Sequence, residues 1–256
     1  MKELLKNGLW GIVSRADRIV RPKLRIFPAY RIQALPEIYQ LTRFLGHFDV
    51  DCVFDVGANV GQYATMLRRD VGYSGTIISF EPIPECAHQL RKLASSDPGW
   101  IVEETALSSK VGVATFNVMT DSQFSSLSRP DHSATGIFQS KNCVQREIAV
   151  SCNTIANIFD SYRSRLKFAR PFLKMDTQGS DLEVAMGAQA KLREFVGLQS
   201  ELAILPIYAG APTYKDAIAY YEAQGFQLTA FVPNNDGHFP FLIETDCIMF
   251  NSRFAA

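Results

Sequence analysis

The stretch that most constrains the fold is VFDVGANVGQYATMLRRD, residues 53–70. Its apolar run ends at Asp55, a turn with Gly57 and Gly61 follows, and a helical pattern of apolar residues then begins. A buried strand that runs through a glycine turn directly into a helix is typical of the first unit of a parallel α/β sheet. Ligands bind such sheets at the edge where the strands end, so this turn is the first candidate site.

Strand-like and helical patterns alternate from residue 50 onward, which predicts an α/β domain with a largely parallel sheet. The predicted elements are, in order, strand DCVFDVG, helix QYATMLRRD, strand GTIISFEP, helix PECAHQLRKLASSD, strand GWIVEETAL, helix TIANIFDSYRS, strand FLKMD, helix DLEVAMGAQAKL, strand EFVGLQSELAI and helix TYKDAIAYYEAQG. The last pair, FQLTAFV and FLIETDCIMFN, is joined by the turn-rich segment PNNDGHFP, so these strands are predicted to be antiparallel.

An insertion interrupts this alternation between residues 108 and 153. GVATFNVM and VQREIAVSC alternate like two antiparallel strands, and the segment between them is polar and rich in serine. Long connections of this kind often carry function. We expect this one, with Ser125, Ser126 and His132, to line or cover the pocket of a polar acceptor.

Composition excludes several classes of protein. The 26 basic residues balance the 26 acidic ones, which gives no electrostatic reason to expect a nucleic-acid partner. The five cysteines are widely spaced without a C-x-x-C pair, which is typical neither of a disulfide framework nor of a zinc site and favours a cytoplasmic protein. No window approaches eighteen uninterrupted apolar residues, so no membrane span is predicted.

Residues 1–49 are predicted to be a basic, helical extension to a domain that covers residues 50–256. Residues 1–31 hold eight Lys or Arg against Glu3 and Asp17, with apolar residues near helical spacing. One interpretation is a helix that contacts an anionic membrane surface. The other is a helix that caps the domain with its basic side chains in water.

The turn after the first strand favours a cationic ligand over a phosphate. Its glycines follow G-x-x-x-G rather than the nicotinamide fingerprint G-x-G-x-x-G, and no Lys-Ser or Lys-Thr pair follows as in a phosphate-binding loop. Asp55 would repel a phosphate but suits the cationic end of S-adenosylmethionine, and Glu81, which ends the second strand, suits its ribose hydroxyls. The alternative is that Asp55 only caps a helix and Glu81 is an exposed strand end.

A set of motifs in one order resembles the FkbM-type family of S-adenosylmethionine-dependent methyltransferases. The motifs are FDVGANVGQYA, SFEPIPE, ALSSKVGVATFNV, SSL, FLKMDTQGSDLEVAMGA, SELAILPIYAGAPTYKDAIAYYEAQGF and DCIMF, between about residues 50 and 250. The resemblance implies a Rossmann-like class I methyltransferase sheet of seven strands in order 3-2-1-4-5-7-6, with the last strand antiparallel. It also implies S-adenosyl-L-methionine as the cofactor. Carried over by position, it implies cofactor contacts by Asp55, Gly57, Asn59, Gly61, Glu81, Pro82, Ile83 and Ala106.

The segment KMDTQGSD departs from the pattern usual in that family, which is closer to Lys-Ile-Asp-Val-Glu-Gly-x-Glu. Gln178 stands where an acid is common, and Asp181 stands where a longer acid is common. These departures do not affect the predicted fold. They bear on which acceptor is bound and on whether a metal is used.

Three residues are candidates for catalysis. Asp176 ends the fourth strand and is the first candidate for general base, Glu201 is an acid within an apolar strand, and His132 lies in the polar insertion. Asp176 could instead cap the next helix, Glu201 could belong to a buried structural pair, and His132, like His238, could be a surface loop residue. Lys174 is expected to point to the opposite face of the sheet.

The sequence leaves the use of a metal open. Asp176, Glu201 and Asp246 could gather round Mg²⁺, because carboxylates suit that ion, but the prediction includes no metal.

The leading hypothesis is an O-methyltransferase that acts on a sugar, a glycan or a small natural product and not on nucleic acid. A non-catalytic, membrane-associated binding protein remains an alternative through residues 1–31, and a nicotinamide-dependent oxidoreductase is a second one.

Overall fold

A computed structural model gives the structure of the chain and describes residues 29–233 and 240–255, with side chains from residue 34 onward. The hypothesis of a membrane-binding segment at residues 1–31 and the candidate His238 therefore fall largely or wholly outside the described residues. Within the described ranges, no helix is long and apolar enough to cross a membrane.

The described residues form one sheet of seven strands and a smaller sheet of three. The strands are β1 (Cys52–Val56), β2 (Thr76–Phe80), β3 (Trp100–Glu103), β4 (Ala106–Leu107), β5 (Gly112–Met119), β6 (Val144–Asn153), β7 (Pro171–Met175), β8 (Gly197–Ala203), β9 (Phe226–Pro233) and β10 (Glu244–Asn251). The large sheet has the order β3-β2-β1-β7-β8-β10-β9, and β10 is antiparallel to both of its neighbours. Numbered within this sheet alone, that is the order 3-2-1-4-5-7-6, which confirms the predicted class I methyltransferase architecture.

Helices cover both faces of the large sheet. They are α1 (Ala29–His47), α2 (Gln62–Met66), α3 (Pro84–Ala94), α4 (Ile155–Leu166), α5 (Asp181–Gly187) and α6 (Tyr214–Ala223). Successive strand residues point to opposite faces, so Val53 packs in the cluster with α1, α2 and α3, whereas Phe54 packs in the cluster with α4, α5 and α6. Two apolar cores on either side of one sheet explain why the strand sequences are almost continuously hydrophobic.

Helix α1 packs directly on the sheet. Phe44 is buried and meets Phe172 of β7 edge-on, with ring centroids 5.2 Å apart. A β-carbon at Gly197 would lie 2.2 Å from the ring of Phe44, so the glycine lets the helix approach β8. Helix α1 thus contributes to the same core as β1 and β7.

The insertion forms the predicted pair of antiparallel strands, β5 and β6. The predicted strand GWIVEETAL, however, is split in the structure. Its first part is β3, and Ala106–Leu107 leaves the large sheet to pair in parallel with β6. The hydroxyl of Thr105 donates to the carbonyl of Ser151 at 3.0 Å, and this contact fixes the change of direction. The spacing of apolar residues in the sequence does not predict this split, because both parts of the segment are extended.

Candidate active site

A cavity of about 1100 Å³ opens at the carboxyl ends of the central strands. The loops after β1, β2 and β7 form one side of it, and residues of β8, β10 and α1 form the other. Parallel sheets bind ligands at this edge, beside the point where the strand order reverses.

The glycine loop after β1 requires glycine at its first position. Gly57 has a φ of 78°, and a β-carbon there would lie 1.9 Å from the backbone oxygen of Asp176. Gly61 has a φ of 92° and precedes α2. The loop therefore packs its bare backbone against the end of β7, and both glycines, together with Asn59, line the cavity.

Glu81 is held at the cavity wall by two backbone N–H groups. Its Oε2 accepts from the N–H of Asn59 at 2.8 Å, and its Oε1 accepts from the N–H of Ile83 at 2.8 Å. The side chain is only 4% exposed, and burial raises its pKa to about 7 against the opposing effect of these two donors. The carboxylate is thus fixed in orientation, with a further lone pair on each oxygen for a ligand.

Three further residues that the resemblance implies as cofactor contacts lie at the same end of the cavity. Pro82, Ile83 and Ala106 line it, together with Leu107 and Phe116. An apolar wall beside a fixed carboxylate is suited to a nucleoside, because the base needs a dry surface and the ribose needs acceptors.

Asp55 does not line this cavity, which corrects the expectation that it contacts the cofactor directly. Its side chain is fully buried, and its Oδ2 accepts from the hydroxyl of Ser79 at 3.0 Å. Its Oδ1 lies 3.2 Å from Nζ of Lys174, which does line the cavity. Asp55 and Lys174 are register partners on β1 and β7, so their side chains share one face of the sheet.

The expectation that Lys174 points away from the site is wrong. Lys174 and Asp176 are two residues apart, and residues two apart in an extended chain point to the same side. Accordingly, Nζ of Lys174 lies 3.5 Å from Oδ2 of Asp176 and 3.4 Å from the carbonyl of Gly57. Burial alone would lower the pKa of Lys174, but the carboxylates of Asp55 and Asp176 outweigh burial and raise it.

Two of the predicted catalytic residues, Asp176 and Glu201, lie on the cavity wall and are joined by Gln178. The amide nitrogen of Gln178 donates to Oδ1 of Asp176 and to Oε2 of Glu201, both at 2.9 Å. Gln178 has a φ of 54°, and the hydroxyl of Ser126 donates to its carbonyl at 2.6 Å. The insertion therefore holds the bridging residue in place.

His132 is not part of this group. Its Nε2 lies 3.1 Å from the carbonyl oxygen of Asn142, and the side chain does not line the cavity. Of the other insertion residues predicted at the pocket, Ser125 lines it, whereas Ser126 lies behind the wall. The sequence places His132 in a loop but does not give its distance from the other predicted catalytic residues. The packing of residues 120–143 decides that distance.

Sequence reasoning missed several residues on the opposite wall. Gln199 of β8 donates to Oε1 of Glu37 at 2.7 Å and to Oδ2 of Asp246 at 2.8 Å. Glu37 belongs to α1, outside the predicted domain, so no motif pointed to it. Burial is the largest cause that raises the pKa of both Glu37 and Asp246.

The carboxyl groups do not form an evident metal site. Among the residues that the structure describes, no group of three or more His, Cys, Asp or Glu side chains is arranged to hold an ion. The structure therefore offers no metal-binding group in which Asp176, Glu201 and Asp246 act together.

A family model for the methyltransferase FkbM domain matches residues 55–228, more than half of the chain. The chain belongs to the FkbM methyltransferase family. The domain is therefore an S-adenosyl-L-methionine-dependent methyltransferase, and the predicted family and cofactor are confirmed. No curated protein matches the chain in sequence.

Solved structures with a similar fold are distant from this FkbM chain. An rRNA methylase from Streptococcus thermophilus is 11% identical, with a TM-score of 0.41 over 84% of this chain and 95% of the other. Aeropyrum pernix fibrillarin with natively bound S-adenosyl-L-methionine is 11% identical, with a TM-score of 0.42 over 78% of this chain and 66% of the fibrillarin chain. A putative methyltransferase from Thermobifida fusca is 10% identical, with a TM-score of 0.46 over 86% of this chain and 80% of the other. Likenesses this distant carry no argument about the acceptor.

Proposed function

We propose that this FkbM methyltransferase transfers a methyl group to a hydroxyl of a small polar acceptor such as a sugar, a glycan or a natural product. The observation that carries the proposal is a single cavity with two different ends. One end holds the backbone-fixed carboxylate of Glu81 beside an apolar wall, and the other holds Asp176 joined to Glu201. A nucleoside and a polar acceptor fit side by side in that arrangement.

The cofactor end assigns a role to most of the predicted binding residues. Glu81 accepts hydrogen bonds from the ribose hydroxyls, and the glycine loop gives close backbone approach. Asp55 acts indirectly, because it holds the charge of Lys174 at the cavity wall. The residues that contact the cofactor are Gly57, Asn59, Gly61, Glu81, Pro82, Ile83 and Ala106.

Asp176 is the proposed general base, and the atom that accepts the proton is Oδ2. Its other oxygen, Oδ1, already accepts from Gln178. When bound, the cofactor would supply an electrophilic methyl group to the acceptor oxygen, and Asp176 would accept the proton that this hydroxyl loses. Glu201 positions Asp176 through the shared amide of Gln178.

Two other functions fit the chain less well. Membership of a methyltransferase family sets aside the nicotinamide-dependent oxidoreductase. A nucleic-acid acceptor has less support, because the 26 basic residues only balance the 26 acidic ones, and Asp176, Glu201 and Asp246 are among the residues that line the cavity.

The test is calorimetric titration of S-adenosylhomocysteine into wild type, Glu81→Gln and the exposed control Glu222→Gln. We expect wild type and the control to bind equally, and Glu81→Gln to bind roughly tenfold or more weakly, because an amide at this position loses the charge and at least one backbone hydrogen bond. Methylation of a sugar or polyol panel with labelled donor follows. Equal affinity in Glu81→Gln contradicts the assigned cofactor end, and methylation of nitrogen alone contradicts O-methylation.

A further inference from the structure

The wall opposite the glycine loop carries acids on facing strands. Asp246 of β10 and Glu201 of β8 are direct register partners, and Glu244 lies two residues from Asp246 on the same face of β10. All three line the cavity. Like charges directly opposite each other on neighbouring strands destabilise a sheet, so this wall is costly without a compensating ligand.

Glu244 differs from the other acids because nothing in the described part of the chain donates to it. Its side chain is 8% exposed, and among residues 34–233 and 240–255 its carboxylate makes neither a hydrogen bond nor an ion pair. The neighbouring Asp181 shows the opposite case, since it is 5% exposed and accepts from Thr177 and Ser200 and from the N–H of Glu201. Asp181 is a satisfied structural acid, whereas Glu244 lines the cavity and accepts no hydrogen bond from the residues that the structure describes.

Two of the donors to this wall, the amides of Gln178 and Gln199, are neutral, so their hydrogen bonds bring no positive charge to it. Burial raises the pKa of Glu244 to about 7, and burial followed by the charge of Glu244 raises that of Glu201. Nζ of Lys174 lies against Asp55 and Asp176, and its charge lowers the pKa of Asp246 without outweighing burial. A hydroxyl group can donate a hydrogen bond to such a carboxylate, whereas a bound cation takes the place of the proton and stabilises the ionised form of these acids.

We propose that the acceptor carries a protonated amine, which binds between Glu244 and Glu201 while a nearby hydroxyl of the same molecule faces Asp176. The inference rests on the proposed function and narrows its substrate class to amine-bearing polyols, such as amino sugars and amino alcohols. The same wall rejects phosphorylated or carboxylated acceptors by repulsion.

The experiment uses the full chain saturated with S-adenosylhomocysteine and three matched pairs of probes. These are glucosamine against glucose, ethanolamine against ethylene glycol, and 1,4-diaminobutane against 1,4-butanediol. Binding is followed by calorimetry near pH 7 in two buffers of different ionisation enthalpy. We expect at least one amine to bind roughly tenfold or more tightly than its hydroxyl counterpart and to release protons as Glu244 ionises.

Glu244→Gln removes the charge and keeps the shape, and Glu222→Gln is the exposed control. We expect Glu244→Gln to abolish the preference for amines and to leave the affinity for S-adenosylhomocysteine unchanged. The control should keep both properties of wild type.

If all variants prefer amines equally, or if no amine binds, the inference is overturned. The proposed function still stands in that case, provided that the protein binds S-adenosylhomocysteine. Failure of wild type to bind S-adenosylhomocysteine overturns the proposed function instead.

Discussion

At the scale of single residues, the site depends on buried charged groups, each of which is stabilised by an oppositely charged or hydrogen-bonding partner. Asp55 is fully buried, and its two partners are the hydroxyl of Ser79 and the ammonium of Lys174. The indole N–H of Trp100 donates to the same hydroxyl at 2.9 Å, which fixes the orientation of Ser79. Removal of one charge from such a pair leaves the other buried and uncompensated.

Lys174→Met should therefore lower the free energy of unfolding by about 3–5 kcal/mol. The double variant Asp55→Asn, Lys174→Met should recover most of this loss, because it removes both charges. Urea denaturation measures the free energy of unfolding of wild type, Lys174→Met and the double variant. The exposed Lys110→Met is the control, and its free energy of unfolding should stay near that of wild type. A loss below about 1 kcal/mol in Lys174→Met would show that Asp55 does not need its partner.

Gln178 shows how one residue can alter a family pattern without altering the fold. Its amide lies between the carboxylates of Asp176 and Glu201 and donates to both. An acid at this position would bring three carboxylates together, and at least one would have to bind a proton or a cation. The glutamine instead supplies a neutral donor to both neighbours, where an acid would add a third carboxyl group.

At the scale of elements, helix α1 contributes residues to the cavity although the family match does not include this helix. The matched segment begins at residue 55, whereas α1 ends at His47. Glu37 and Ile38 nevertheless line the cavity, and Glu37 accepts from Gln199. The packing of Phe44 on β7 and β8 sets the position of these residues.

Phe44→Ala should lower the free energy of unfolding by about 3–5 kcal/mol, since it empties the space between α1 and the sheet. The matched control is Tyr39→Ala in the same helix, because Tyr39 is 59% exposed and should cost less than about 1 kcal/mol. Urea denaturation of both variants decides the point. Equal losses, or none, would mean that α1 does not pack as the structure has it.

At the scale of the whole molecule, the cavity gathers more carboxyl groups than it neutralises. Burial raises the pKa of Glu81 and Glu244 to about 7 and raises those of Glu37, Glu201 and Asp246 as well. Each of these groups holds its proton more tightly in the folded than in the unfolded chain. Between the two pKa values the folded state therefore binds more protons, and stability falls as pH rises.

The ligand-free protein should accordingly lose stability between about pH 5 and pH 7.5, by roughly 1–3 kcal/mol for each of Glu81 and Glu244. Urea denaturation across this range measures the slope, and Glu244→Gln should reduce it while Glu222→Gln should not. Stability that rises with pH over the same range would contradict the burial of these carboxyl groups.

The hydrophobic periodicity of the chain was sufficient to predict the succession of strands and helices and the antiparallel final pair, whereas the order of strands in the large sheet was implied by the family resemblance. The strands of that sheet are long apolar runs, and the directly joined pair at the end could only be antiparallel, as β9 and β10 are. The split between β3 and β4 was not predicted, because two extended segments separated by Glu104 and Thr105 have the same local pattern as one strand.

The sequence by itself determined the alternation of strands and helices, the glycine turn after β1 and the acid at the end of β2, while the order of the strands came from the family resemblance. These three features depend on local pattern: a run of apolar residues, a positive φ at Gly57, and a carboxylate at a fixed offset. Only the tertiary structure decided that Asp55 is buried under Lys174, that His132 lies apart, and that Glu37 joins the cavity. Those outcomes are distances between segments far apart in the chain, and the packing of helices and strands sets them.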